Sequence, residues 1–181
     1  MSTKDILSGG TTTARPVGAP RLDLLGIYLN DHLAGATVGT RRAGYVARAH
    51  QGTPLADVLE PLAREIAEDR ESLLGIMERL GIPARRYKVV AAAAAECAGR
   101  LKPNGRIVAR SPLSSVLEFE FLRLGVEGKA AAWRSLRPLA EVDRRLEPAQ
   151  LDELLARAER QLRTLEQLRS GASQEVFRGR R

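Results

Sequence analysis

This 181-residue chain has little cysteine or histidine and no long apolar run. The single cysteine, Cys97, has no partner for an internal disulfide, so the expected compartment is the cytoplasm. No uninterrupted apolar run approaches the roughly 18 residues of a membrane-spanning helix. The opening residues carry no apolar core behind Lys4, so no secretory leader is expected. No glycine-rich phosphate loop, Cys/His zinc spacing or nucleophile elbow occurs. Alternating apolar residues are missing as well, which speaks against a sheet.

What is present has helical period. The first segment, about Leu22 to His50, carries Leu25, Leu29, His32, Ala36, Ala43 and Val46 or Ala47, at steps of three, four or seven residues. The second opens at Thr53-Pro54 and carries Leu55, Val58 or Leu59, Leu62, Ile66, Asp69, Leu73, Ile76 or Met77, and Leu80. Pro61 predicts a kink or a later start, and Gly81 with Pro83 ends the segment. The third, from about Ser114, is read with Leu117, Phe121, Leu124, Ala131 or Ala132 and Leu136 inward, ending at Pro138. The fourth, from about Pro148, carries Leu151, Leu154 or Leu155, Ala158, Leu162, Leu165 and Leu168. Residues 1–20 read as a disordered tail, 21–170 as the folded unit and 171–181 as a frayed basic tail.

Short connections make helices one and two one hairpin, and three and four a second. Between the hairpins runs a long crossover, Pro83 to Pro112, with an alanine-rich helical piece expected over Tyr87 to Leu101. The fold class is therefore all-α, an antiparallel four-helix bundle of two hairpins with a crossover helix, the ferritin-like arrangement. A faint internal echo lays Leu29 over Leu117, Leu33 over Phe121 and Val38 over Val126.

Over roughly Leu22 to Ser170 the chain resembles the ferritin-like superfamily. The stretches LLGIYLNDHLAGA, EIAEDRESL, RRYKV and VEGKAAAWRSL resemble an actinobacterial group of that architecture. Active di-iron members place a Glu on each of two helices and Glu-x-x-His on each of the other two. This chain departs from that pattern: Leu29 and Ala47 stand three residues before its histidines, and Leu162 and Arg169 three residues after Glu159 and Glu166. The usual di-iron set is missing, and fold kinship does not transfer chemistry.

Three candidate groups remain. His32 and Asp69 fall in the apolar stripes of their helices and should face one another, with Glu65 one turn away. A hydrogen-bonded pair fixing helix register is the simpler reading. A reduced metal site of His32, Asp69 and Glu65, holding iron or manganese for redox chemistry, is the alternative. Glu68 and Glu71 read as a solvated, arginine-paired face, and Glu127 as the closest approach of helix three to a bundle position. The crossover is strongly basic. Arg85, Arg86, Lys88, Arg100, Lys102, Arg106 and Arg110 stand against Glu96 alone, so +6 of the net +7 sits there. Such a patch suits an acidic protein partner or a second subunit, giving a homo-oligomer such as a dimer. With Tyr87 its only aromatic and no reading motif, nucleic acid or anionic lipid suits it less well. Cys97 reads as a small buried residue. The expectation is a non-catalytic bundle without cofactor, acting by self-association or by binding an acidic partner. A metal-dependent oxidoreductase is the runner-up.

Overall fold

The structure is a computed structural model and describes residues 21–85 and 112–178. Within them every regular element is helical: α1 (Leu22–Ala49), α2 (Ala56–Arg79), α3 (Pro112–Leu136), a 3-10 turn over Pro138–Glu141, and α4 (Pro148–Arg178). No helix among the described residues is long and apolar enough to cross a membrane. The tail at 1–20, the crossover helix, Cys97 and every crossover cation except Arg85 lie outside the described residues.

Local chemistry accounts for the helix ends. Between α1 and α2 the chain reverses through Gly52, whose φ of 76° is comfortable only without a side chain. The Thr53 hydroxyl donates to the His50 carbonyl and accepts from the Leu55 amide, closing that turn. Pro61 lies inside a continuous α2, where its ring removes one bond near the helix start. The end of α2 is a Schellman motif: Gly81 has φ 69°, Ile82 donates to Met77 and Gly81 to Glu78. Leu136 closes α3 two residues before Pro138, which has no backbone N–H to extend the helical ladder, although Arg137 between them keeps helical dihedrals. Helix α4 continues to Arg178, beyond the Ser170 at which fraying was expected.

The four helices bury two aliphatic clusters. One joins Leu29 and Leu33 of α1, Leu73 to Leu80 of α2, Trp133 and Leu136 of α3, and Leu151 and Leu154 of α4. The other joins Ala43 and Val46, Leu59 to Ile66, Phe119 to Ala130, and Ala158 with Leu165. The start of α1 thus meets the end of α2, and the end of α3 meets the start of α4. Helix α1 packs on α2, α3 on α4, and α1 on α3.

The face assigned to the first part of α3 needs correction. Its inward residues are Val116, Phe119, Leu122, Val126, Ala130, Ala132, Trp133 and Leu136, of which Ala132 and Leu136 were expected, whereas Leu117 and Leu124 are exposed. Apolar residues occur on every side of this helix, so its periodicity marks no single face. The internal echo fails for the same reason: Leu29 is fully buried, and Leu117, its supposed counterpart, is 37% exposed.

Candidate functional site

Between the two aliphatic clusters lies a layer of polar side chains. Helix α2 contributes Glu65 and Asp69, α3 contributes Lys129, and α4 contributes Arg157 and Gln161. Asp69 is the hub, its side chain wholly buried. Its Oδ2 accepts from the Lys129 ammonium and, at 3.2 Å, from Gln161 Nε2. Its Oδ1 forms an ion pair with the Arg157 guanidinium at 2.5 Å. Gln161 ties the rest together, accepting from Lys129 at 2.6 Å and donating to Glu65 at 3.0 Å. Arg157 reaches on to Glu68 at the surface, 3.2 Å away.

The helices position these groups by spacing alone. Asp69 follows Leu59, Leu62 and Ile66 and precedes Leu73 and Ile76, all on one face of α2. Lys129 occupies the same kind of place between Val126 and Trp133, and Gln161 between Ala158 and Leu165. Three helices each interrupt an apolar stripe with one polar residue, and the interruptions meet at one level. Glu65, Asp69, Lys129 and Arg157 together carry no net formal charge. Burial pushes the Lys129 ammonium below the ordinary lysine range, and neighbouring Asp69 opposes that shift.

His32 stands outside this network. It is half-buried on the α1 side, with its ring edge-on to Tyr28 at a centroid distance of 4.4 Å. Burial lowers its pKa below the usual histidine value, against the pull of Asp31 toward the charged form. The structure therefore brings Glu65 and Asp69 together through Gln161, and gives His32 none of their bonds. Among the described residues no group of three or more His, Cys, Asp and Glu side chains gathers as a metal site would require.

Helix α3 also differs from the sequence reading. Glu127 is exposed and paired with Arg134 at 3.1 Å. The buried glutamate is Glu118, which accepts from Arg42 of α1 at 3.1 Å. The second hairpin, whose expected stripes hold only apolar residues, also holds Lys129, Arg157, Gln161 and Glu118 inside or at its inner edge. Placing Leu162 in the α4 stripe and Ala131 or Ala132 in that of α3 hid Lys129 and Gln161. The three-four spacing Val126, Lys129, Trp133 and Ala158, Gln161, Leu165 was the signal that marks them. Arg85 is the described member of the basic set, and its backbone amide donates to Asn30 Oδ1 at 2.7 Å.

A cavity of about 760 Å³ opens beside the polar layer, between α1 and α3. Its walls are largely apolar, with Gly35, Gly39, Gly125 and Gly128 among the small residues and His32, Asp69 and Lys129 among the polar ones.

No family model, curated protein or solved structure matches the chain. The chemistry of the polar layer must therefore be judged on its own donors. As a ligand set for the metal pair that a ferritin-like resemblance implies, these residues do not fit. Both oxygens of Asp69 already face cations of the protein. Helices α3 and α4 supply an ammonium, a guanidinium and an amide where that pattern needs carboxylates and imidazoles. The arrangement is an internally neutralised cross-link between three helices.

Proposed function

We propose that this chain is a ferritin-like antiparallel four-helix bundle that works by association and not by catalysis. One observation carries the reading: Lys129 and Arg157 engage the carboxylate that a metal centre at this level would need. A divalent ion would have to displace a buried ammonium and a guanidinium, each of which would then lack its partner. The basic set of Arg85, Arg86, Lys88, Arg100, Lys102, Arg106 and Arg110 supports an acidic partner or a second copy of the chain as what the bundle meets. The single cysteine, which has no partner for an internal disulfide, supports a cytoplasmic setting.

The test is metal content per chain on untagged protein purified without chelators, combined with size-exclusion chromatography across a salt series. Metal-free protein that ignores added iron(II), with an association that weakens as salt rises, is the expected result. Reversing Arg85, Arg86 and Lys88 to glutamate should abolish that association. About one iron or manganese per chain, lost in His32→Ala, would overturn the reading in favour of a metal-dependent oxidoreductase built on His32, Asp69 and Glu65.

A further inference from the structure

The cavity between α1 and α3 has a polar end and an apolar end. The Tyr28 hydroxyl meets Ser135 at 3.2 Å near one end, and Arg42 meets Glu118 near the other. Toward the first tie the lining includes His32, Asp69, Lys129 and Trp133. Toward the second it includes Val38, Leu117, Phe121 and Leu124. From Leu117 to Trp133 the α3 wall is about 24 Å long at 1.5 Å per helical residue. The volume of about 760 Å³ is that of a small-molecule site, for which about 300–1,000 Å³ is usual. A methyl group added at Gly35, Gly39, Gly125 or Gly128 would meet nothing within 4 Å, so both helices leave the space open.

Two hydrogen-bond donors at the polar end are not fully used. Trp133 is 1% exposed, and among the described residues no acceptor reaches its indole Nε1. A buried donor without an acceptor is destabilising and calls for one. Lys129 stands one turn before Trp133, so the two side chains share a face of α3. An ammonium has three N–H donors. Asp69 Oδ2 and Gln161 Oε1 take two of them, and no third acceptor among the described residues is bonded to it. Lys129 is the only lysine among the described residues, where arginine is otherwise used. A compact ammonium can share its donors among separate partners, which the planar fork of a guanidinium does less freely.

Charge decides which acceptor fits. The layer of Glu65, Asp69, Lys129 and Arg157 is already neutral, and the lining adds Asp31 and Glu120 against Arg70 alone. Burial holds His32 toward its neutral form. An anionic head beside Lys129 would meet the Asp69 carboxylate, and a cationic head would meet the ammonium. An uncharged acceptor meets neither penalty. We propose that the cavity between α1 and α3 binds an uncharged, elongated apolar molecule carrying one carbonyl group, whose oxygen accepts from the Lys129 ammonium and the Trp133 indole. Its hydrocarbon part lies along Val38, Phe121 and Leu124. The proposal goes beyond the association reading and does not rest on it.

Trp133 is the chain's only tryptophan, so its emission reports on this site. Prodan, a fluorescent naphthyl ketone, is titrated into the full chain, with energy transfer from the tryptophan as the readout. Binding should saturate. Methyl octyl ketone should displace the probe at a concentration about tenfold lower than decanoate does. Lys129→Met keeps the length of the side chain and should weaken prodan binding about tenfold, the loss of one hydrogen bond. Gly39→Leu and Gly128→Leu fill half-buried open positions of the wall without touching either donor, and each should weaken it by at least as much. A circular dichroism spectrum matching the wild type qualifies each variant for the comparison. Any of three results would overturn the proposal. No saturable binding to the wild type would mean that the cavity does not admit such a molecule. Affinity unchanged by both leucine variants would place the probe elsewhere. Displacement by decanoate as readily as by the ketone, or affinity unchanged in Lys129→Met, would show that a neutral carbonyl on these donors is not what the cavity selects.

Discussion

Asp69 concentrates the energetics of the polar layer because three donors converge on one carboxylate. Removing it leaves Lys129 and Arg157 facing each other in a poorly solvated space. Asp69→Ala should therefore lower the unfolding free energy by about 3–5 kcal/mol, the usual cost of orphaning a buried charge. Lys129→Met should cost about 1–3 kcal/mol, because Arg157 still compensates Asp69 and the methionine fills the lysine's apolar stem. Urea denaturation of the two variants checks the order, and equal losses would remove Asp69 from the centre of the network. His32 carries a different signature. Its pKa is lowered on folding, so the unfolded chain binds the proton more readily. The stability tied to neutral His32 is complete above its ordinary value of about 6.5, and is lost as pH falls through the folded value. The wild type should thus lose more of its urea midpoint between pH 7.5 and 5 than His32→Gln does. Parallel losses would show that His32 does not titrate differently in the folded state. At this scale the sequence exposed His32 and Asp69 as polar interruptions of apolar stripes. It hid Lys129 and Gln161, because neighbouring leucines and alanines offered an equally apolar face one residue away.

Single helices were legible where their apolar residues keep to one side. Helix α2 is the clear case: Leu59, Leu62, Ile66, Asp69, Leu73, Ile76 and Leu80 are all inward, as their spacing predicts. Helix α3 is the opposite case, since Leu113, Leu117, Phe121 and Leu124 compete with Val116, Phe119, Leu122 and Val126 for the core. Only packing against α1 and α4 decides between the two faces, and that information is not local. The end of α4 shows a third limit. Sequence loses apolar period after Leu168, yet the helix continues through Gly171 to Arg178. Gly171 has open space where a side chain would go. Gly171→Ala should therefore raise helicity by circular dichroism and stabilise the protein by about 0.5–1 kcal/mol, the usual gain of alanine over glycine inside a helix. No gain in either would mean that the last turns of α4 do not persist in solution.

Across the whole molecule, two aliphatic clusters stacked on either side of an ionic layer explain how two hairpins find one alignment. Leucine-rich helices could slide by a turn and still bury leucine. The layer forbids that, because a slip of one turn parts Asp69 from both Lys129 and Arg157. The turn after α3 reinforces the same alignment: Arg145 pairs with Asp143 at 2.6 Å and reaches the Leu80 carbonyl at the end of α2. The all-helical class was legible from period and loop length alone. The polar layer was not, since it exists only where three helices meet. If the layer serves alignment rather than stability, filling it with apolar residues should not weaken the fold. The combined change Glu65→Leu, Asp69→Leu, Lys129→Met, Arg157→Met and Gln161→Leu should leave unfolding free energy unchanged or raise it by about 1–4 kcal/mol, as apolar replacement of buried ion networks often does. The same protein should show broadened or doubled amide resonances, because slipped pairings then compete with the native one. A well-dispersed single set of resonances would mean that loop geometry fixes the alignment alone, and the charge balance of the layer would need another purpose. Loss of several kcal/mol would instead make the ion network a net source of stability, which desolvation of five polar side chains argues against.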